Sequence, residues 1–169
     1  MASAIVASTT PVGDKDCWRT PPDVFAAAAR RYGPFDLDAA ATEDNKLCPF
    51  WLGPGSDLGE DALRADWGPV SSATMPERPV RAFCNPPYSV TALFVEQAAV
   101  QAKLGHAQTT LLLPSTTDVR WWHTWVWEDL GPRPGVLVEF LRRVRFLRPD
   151  GSLAGSPTFG SVLVTFLAA

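Results

Sequence analysis

The chain has 169 residues, 46% hydrophobic and 20% charged, the balance of an ordinary globular protein with one domain and a sizeable core. No apolar run approaches the length of a membrane span, and a net charge of −3 argues against a dedicated nucleic-acid binder with a basic footprint. Three cysteines (Cys17, Cys48, Cys84) without CxxC spacing argue against a disulfide framework or a zinc site and fit a reducing cytoplasm.

Residues 1–13 lack the basic start of a signal peptide, and read as a disordered tail ahead of a single domain over 14–169. The stretch from Asp16 to Asp23 reads as a helix entrance. Thr20 is the candidate cap, Pro21 and Pro22 suit the first turn, and Asp23 suits the positive end of the dipole. The helix is expected from Pro22 to Arg31, stopped by Gly33-Pro34. Phe35 to Ala40 reads as a short strand ending in the carboxylate of Asp38 and small residues. Residues 42–79 read as loop, with a turn of helix near Asp61 to Leu63 and a proline-flanked stretch at 69–79.

Phe83-Cys84-Asn85 ends the next clear strand. Thr91 to Leu104 has helical apolar spacing and stops at Gly105. Thr109 to Leu113 is a buried-type strand halted by Pro114. Val119 to Leu130 carries four tryptophans (Trp121, Trp122, Trp125, Trp127) and is expected as a helix packed on the sheet, ending at Gly131-Pro132. Val136 to Phe146 and Ser161 to Leu167 are expected as an antiparallel hairpin across a Gly/Ser/Pro loop at 149–160. Strands alternate with helices and the hairpin comes last, which predicts a three-layer α/β sheet, mostly parallel. Ligands in such sheets bind at the carboxyl ends of the strands, where both Asp38 and Asn85 fall.

The tetrapeptide Asn85-Pro86-Pro87-Tyr88 stands at one of those ends. A strand feeding a rigid Pro-Pro turn presents one amide, one proline carbonyl and one aromatic ring together. Those groups suit an amine attached to a planar π-system. The lone pair of such an amine is delocalised, so its nitrogen must move toward tetrahedral geometry before it attacks a methyl group. The Asn85 side-chain oxygen and the Pro86 carbonyl are candidate acceptors for its hydrogens, and fixed dipoles need no reorganisation during the reaction. Tyr88 is the candidate ring for stacking on a base that has left the duplex. His106 and His123 show no spacing that suggests metal or acid–base work. Arg142, Arg143, Arg145 and Arg148 form a local basic cluster, read either as a phosphate-contacting patch or as a charged strand edge.

Taken in order, several stretches resemble the phage-type, Dam-like DNA N6-adenine methyltransferases. They are Trp18-Arg19-Thr20-Pro21, Phe35 to Ala41 with Asn45 and Cys48, Asp61-Ala62-Leu63 with Trp67, and Cys84 to Ser89. Leu112-Leu113-Pro114 with Trp121-Trp122, and Phe159-Gly160-Ser161 to Phe166, complete the set. The resemblance implies methyl transfer from S-adenosylmethionine to adenine N6, with double-stranded DNA presenting a flipped-out adenine as partner. It also implies a Rossmann-like class I methyltransferase sheet, and a phage or prophage protein acting in the bacterial cytoplasm. Asn85, Pro86, Pro87 and Tyr88 are then catalytic. Trp18, Thr20, Pro21, Asp38, Ala39 and Asp61 bind the cofactor, and Arg142, Arg143, Arg145 and Arg148 are the candidate contacts to DNA phosphates. No metal is implied.

The chain also departs from that pattern. The first strand runs into Ala39-Ala40-Ala41 with no glycine-rich turn, and only about 45 residues separate Asp38 from Asn85, too few for two full αβ units. The cofactor-side half of the sheet is therefore expected to be reduced. Arg142-Arg143 stands where the family usually has Gly-Arg. Methylation of a glutamine amide at N5 or of cytosine at N4, or a non-catalytic DNA-binding module on the same fold, stay open as alternatives.

Overall fold

Helix α1 (Pro22–Tyr32) forms where the sequence predicts it, with Pro22 and Asp23 in its first turn and Arg30 and Arg31 in its last. The computed structural model describes residues 15–68, 78–155 and 157–169; the expected tail at 1–13 and positions 69–77 of the expected loop lie outside them. Thr20 does not cap α1: Pro21 occupies the cap position and no side-chain cap bond forms. Pro22 has no amide to offer a cap at Thr20, which halves the donors within reach of its hydroxyl.

Strand β1 (Leu37–Asp38) is short and lies between β2 (Phe50–Trp51) and β3 (Val80–Cys84), parallel to both. Residues 42–79 were expected to be loop, so β2 is a correction. Two residues carry no period of their own, and β2 exists because β1 offers a free edge. Asp36 sets the β1–β3 register: its carboxylate accepts the Arg81 amide at 2.9 Å and is paired with the Arg78 guanidinium at 2.8 Å. Those partners outweigh partial burial and hold the Asp36 carboxyl below its ordinary range.

After β3 a 3-10 turn (Tyr88–Val90) leads directly into α2 (Thr91–Lys103), followed by β4 (Ala107–Pro114). A five-residue π-helical turn (Trp122–Val126) and a small hairpin of β5 (Trp127–Glu128) and β6 (Gly131–Pro132) occupy the stretch expected as one long helix. Tryptophan, threonine and valine are weak helix formers, and Asp129 adopts a left-handed φ of 47° that closes the hairpin. The expected packing role stands: Trp122 is buried and stacks on Trp127 with ring centroids 6.0 Å apart.

Strands β7 (Val136–Leu141) and β8 (Ser161–Phe166) make the expected antiparallel hairpin. The β7 strand ends at Leu141 rather than Phe146, because its partner Ser161 is the first residue of β8 and the ladder runs out there. The sheet order is β2-β1-β3-β4-β8-β7, with β8 the antiparallel member against β4 and β7.

Alternation along the central strands builds two cores. Phe83, Leu112 and Leu163 face α1 and join Ala28, Phe146 and Trp18. Cys84, Leu111 and Val164 face α2 and join Val95, Ala98, Trp67 and Trp122. Helices on both faces give the three layers the sequence predicts. Burying one Leu or Phe here contributes about 1.5–3 kcal/mol, so both faces are needed to hold the short strands. Among the described residues, no helix is long and apolar enough to cross a membrane.

Candidate active site

Asp38 is the last residue of β1 and Asn85 is the first after β3, so the parallel pairing of these strands sets both at one end of the sheet. Pro86 and Pro87 end the ladder, and the Pro87 carbonyl accepts the Val90 amide at 3.1 Å to start the turn that carries Tyr88. Residues 16–19 lie over this turn. The Asn85 Nδ2 donates to the main-chain carbonyl of Trp18 at 3.1 Å. A carbonyl can only accept, so the nitrogen faces Trp18 and the oxygen points away. That oxygen, Oδ1, is buried and has no partner among the described residues. An unpaired buried acceptor costs about 1–3 kcal/mol, which a ligand N–H would recover.

Tyr88 sits edge-on to Trp18 (5.8 Å), Phe146 (6.0 Å) and Phe159 (5.6 Å) between ring centroids. Trp18 in turn stacks on Phe146 at 5.4 Å. The Tyr88 hydroxyl is buried without a partner among the described residues, and burial pushes its pKa up, so the phenol stays neutral.

Two cavities adjoin this turn. The smaller, about 50 Å³, is lined by Trp18, Thr20, Asp38, Asn45, Asn85 and Pro87, with Asp16 and Ala40 at its margin. The larger, about 400 Å³, shares Asp16, Ala40, Asn45 and Pro87 and continues to Leu52, Asp61, Leu63 and Phe94. Trp18, Thr20, Asp38 and Asp61 thus border adjoining cavities, whereas Ala39 is fully buried and lines neither. Pro21 faces elsewhere, into a groove beside α1.

Asp38 is 4% exposed, and its carboxylate accepts the amides of Ala40 (3.3 Å) and Leu47 (3.1 Å). Burial raises its pKa to about 6, and the two amides lower it in part. The carboxylate therefore ties down the 40–47 loop as well as facing the smaller cavity. Asp61 is exposed; it accepts the Leu63 amide at 3.0 Å and lies 3.4 Å from Arg64, closing the predicted turn.

The glycine missing after β1 has a counterpart after β2. Gly53 takes φ +139°, and a side chain there would run into the Ala41 carbonyl. Gly53 thus lets the chain after β2 pass close to the Ala41 backbone, and both residues line the larger cavity. Sequence reasoning missed Gly53, although Leu52-Gly53-Pro54-Gly55 carries a turn signal. It also passed over Asp16, which lines both cavities, and gave Asn45 no role; its side chain accepts the Thr42 amide at 2.7 Å and shapes the loop.

Arg142, Arg143 and Arg145 line the groove beside α1, about 660 Å³, with Pro21, Arg31 and Glu139. Val144 and Phe146 alternate with Arg143 and Arg145 and point into the core, so these two guanidinium groups stand outward. Arg148 does not line this groove but sits at its edge, bonding through Nη1 the carbonyl of Leu153, which does line it.

The chain is similar in sequence to known proteins. A family model described as DNA N-6-adenine-methyltransferase (Dam) matches residues 7–129. A DNA N-6-adenine-methyltransferase of Escherichia phage T1 is 33% identical over 114 residues, which covers 68% of this chain and 42% of the relative. A protein of the same description from Haemophilus phage HP1 is 31% identical over 115 residues, covering 68% of this chain and 58% of the relative. The chain therefore spans about half the length of these relatives. With residues 7–129 matched, well over half of its 169 residues, the chain belongs to the DNA N-6-adenine-methyltransferase (Dam) family.

Proposed function

We propose that the chain transfers a methyl group from S-adenosylmethionine to the N6 amine of adenine in DNA. Beyond family membership, one observation carries this reading. Asn85 Oδ1 is a buried acceptor without a partner among the described residues, three positions before the neutral phenol of Tyr88, and Asn85 lines the smaller of two adjoining cavities. An amine on a flat ring fits those three features together.

The cavities suit the donor. Leu52, Leu63, Ala62 and Phe94 give apolar walls for its nucleoside, while Asp16, Asp38 and Asp61 supply negative charge for its cationic end. Bound there, the donor would supply an electrophilic methyl group on a sulfonium. The chain's own residues do the rest. Asn85 Oδ1 and the Pro86 carbonyl accept the two amine hydrogens and draw the nitrogen toward tetrahedral geometry. Tyr88, backed by Trp18, Phe146 and Phe159, takes one face of the extruded base. Holding amine and methyl in line then contributes much of the rate.

Arg142, Arg143 and Arg145, with Arg148 nearby, are the proposed contacts to DNA phosphates. Their loop is linked to the base site, because Leu147 and Arg19 exchange main-chain hydrogen bonds at 2.8 and 3.0 Å. The sheet order, with antiparallel β8 between β4 and β7, supports a Rossmann-like class I methyltransferase fold. The two-residue β1 and β2 are its reduced cofactor side. The domain is read as spanning 14–169, acting in the cytoplasm of a bacterial host.

The test is a labelled-methyl transfer assay on unmethylated DNA, followed by nucleoside analysis. The expected product is N6-methyladenine that disappears in Asn85→Ala. Label recovered in protein, or as N4-methylcytosine, overturns the assignment.

A further inference from the structure

Ser89 directly follows the tetrapeptide, and Asp16 reaches it across 73 residues of sequence. One carboxylate oxygen accepts the Ser89 amide at 2.9 Å and the other accepts the Ser89 hydroxyl at 2.7 Å. The 3-10 turn and α2 form one helical run whose local cap positions, Pro87 and Val90, make no side-chain cap bond. The first amides of such a run need acceptors, and a carboxylate also suits its positive end. Asp16 fills that role from the other side of the site.

The same short segment holds two further parts of the site. Trp18 orients the Asn85 amide through its carbonyl and meets Tyr88 through its ring. Asn85, Tyr88 and Ser89 are thus each held by residues 16–18, of which Asp16 and Cys17 line both cavities and Trp18 the smaller one. We propose that Asp16 is a positioning residue for the methyl acceptor. It ties the turn bearing Asn85 and Tyr88 to the segment that walls the donor cavities, so donor and acceptor share one rigid brace. The proposal rests on the methyl-transfer reading above and names a residue to which that reading gives only charge in the cavity wall.

The measurement compares wild type with Asp16→Ala, Asp16→Asn and Ser89→Ala. Asp16→Ala is expected to lower kcat by about ten- to a hundredfold, the scale of a small misplacement of reacting groups. KM for DNA should move by less than about threefold, because no DNA contact is lost. Asp16→Asn keeps an oxygen acceptor for the Ser89 amide and should recover most of the rate. The Asp16→Ala, Ser89→Ala double variant should be no slower than Asp16→Ala alone, as expected for one shared interaction. Hydrogen exchange gives a readout apart from activity: the Ser89 amide should exchange faster in Asp16→Ala than in wild type.

An unchanged kcat in Asp16→Ala, additive effects in the double variant, or equal exchange at Ser89 would each overturn the brace. Wild-type protein that methylates a different amine would overturn the adenine reading alone, and the same variants assayed on that amine then decide the role of Asp16.

Discussion

The side-chain amide of Asn85 is oriented by the main-chain carbonyl of Trp18, 67 residues away in sequence and 3.1 Å away in space. That bond uses one Asn85 hydrogen and leaves Oδ1 without a partner among the described residues, on a residue that lines the smaller cavity. In the proposed reaction this acceptor is therefore oriented before any ligand arrives. Preorganisation of this kind lets a dipole act without a reorganisation cost at the moment of reaction.

Asn85→Asp tests the orientation. A carboxylate cannot donate to the Trp18 carbonyl, so two acceptors would face each other where a hydrogen bond now stands. Methyl transfer should fall by about 10²–10³-fold, the range for losing one preorganised transition-state contact. Rates from single-turnover assays with saturating donor would show it, and a loss under tenfold would count against the role.

Tyr88 separates its ring from its hydroxyl. The hydroxyl is buried without a partner among the described residues, so Tyr88→Phe should keep transfer and gain about 1 kcal/mol, or about 2–4 °C in Tm. Tyr88→Ala removes a ring that meets three others and should lose about 3 kcal/mol as well as most of the transfer. Thermal unfolding and the methylation assay together distinguish the two effects.

Asp38 gives the stability curve a predictable slope. Its folded pKa is raised from 3.8 to about 6 by burial, so the folded state favours the protonated carboxyl. The stabilisation from this group is full below pH 4 and is lost as pH rises through about 6. Relative to wild type, Asp38→Asn should gain about 3 kcal/mol between pH 4 and pH 7, from a shift of about two pKa units. Urea unfolding of both proteins at the two pH values measures this, and a parallel pH dependence would contradict it.

The groove arginines predict a salt effect. Arg143→Gln and Arg145→Gln should each reduce the slope of log affinity for DNA against log salt by about 0.9 per lost phosphate contact. Stabilisation by S-adenosylmethionine should be unchanged in both, because neither residue lines the donor cavities. Binding titrations over a range of salt, with melting curves, provide the comparison.

Much of this molecule was legible in its residues because local chemistry decides local structure. The prolines and Asp23 of α1, the helical spacing of α2 up to Gly105, and the buried run of β4 each state their element within a few positions. Asn85-Pro86-Pro87-Tyr88 likewise declares a strand end that presents an amide and a ring, whatever surrounds it. The failures share a cause as well. The β2 strand, the early end of β7 and the hairpin at β5–β6 depend on what lies alongside: a free edge, the exhausted ladder at Ser161, and the stacking of Trp122 on Trp127. Only the tertiary structure decided which way the Asn85 amide points, that Asp16 holds Ser89, and that Gly53 makes room for the Ala41 carbonyl. Those contacts join residues far apart along the chain, and a periodic pattern records only neighbours within a turn or a strand. The sequence determined that Asn85 to Tyr88 bring an amide, a proline carbonyl and an aromatic ring to one strand end; the fold decided how that amide is oriented and what lies against it.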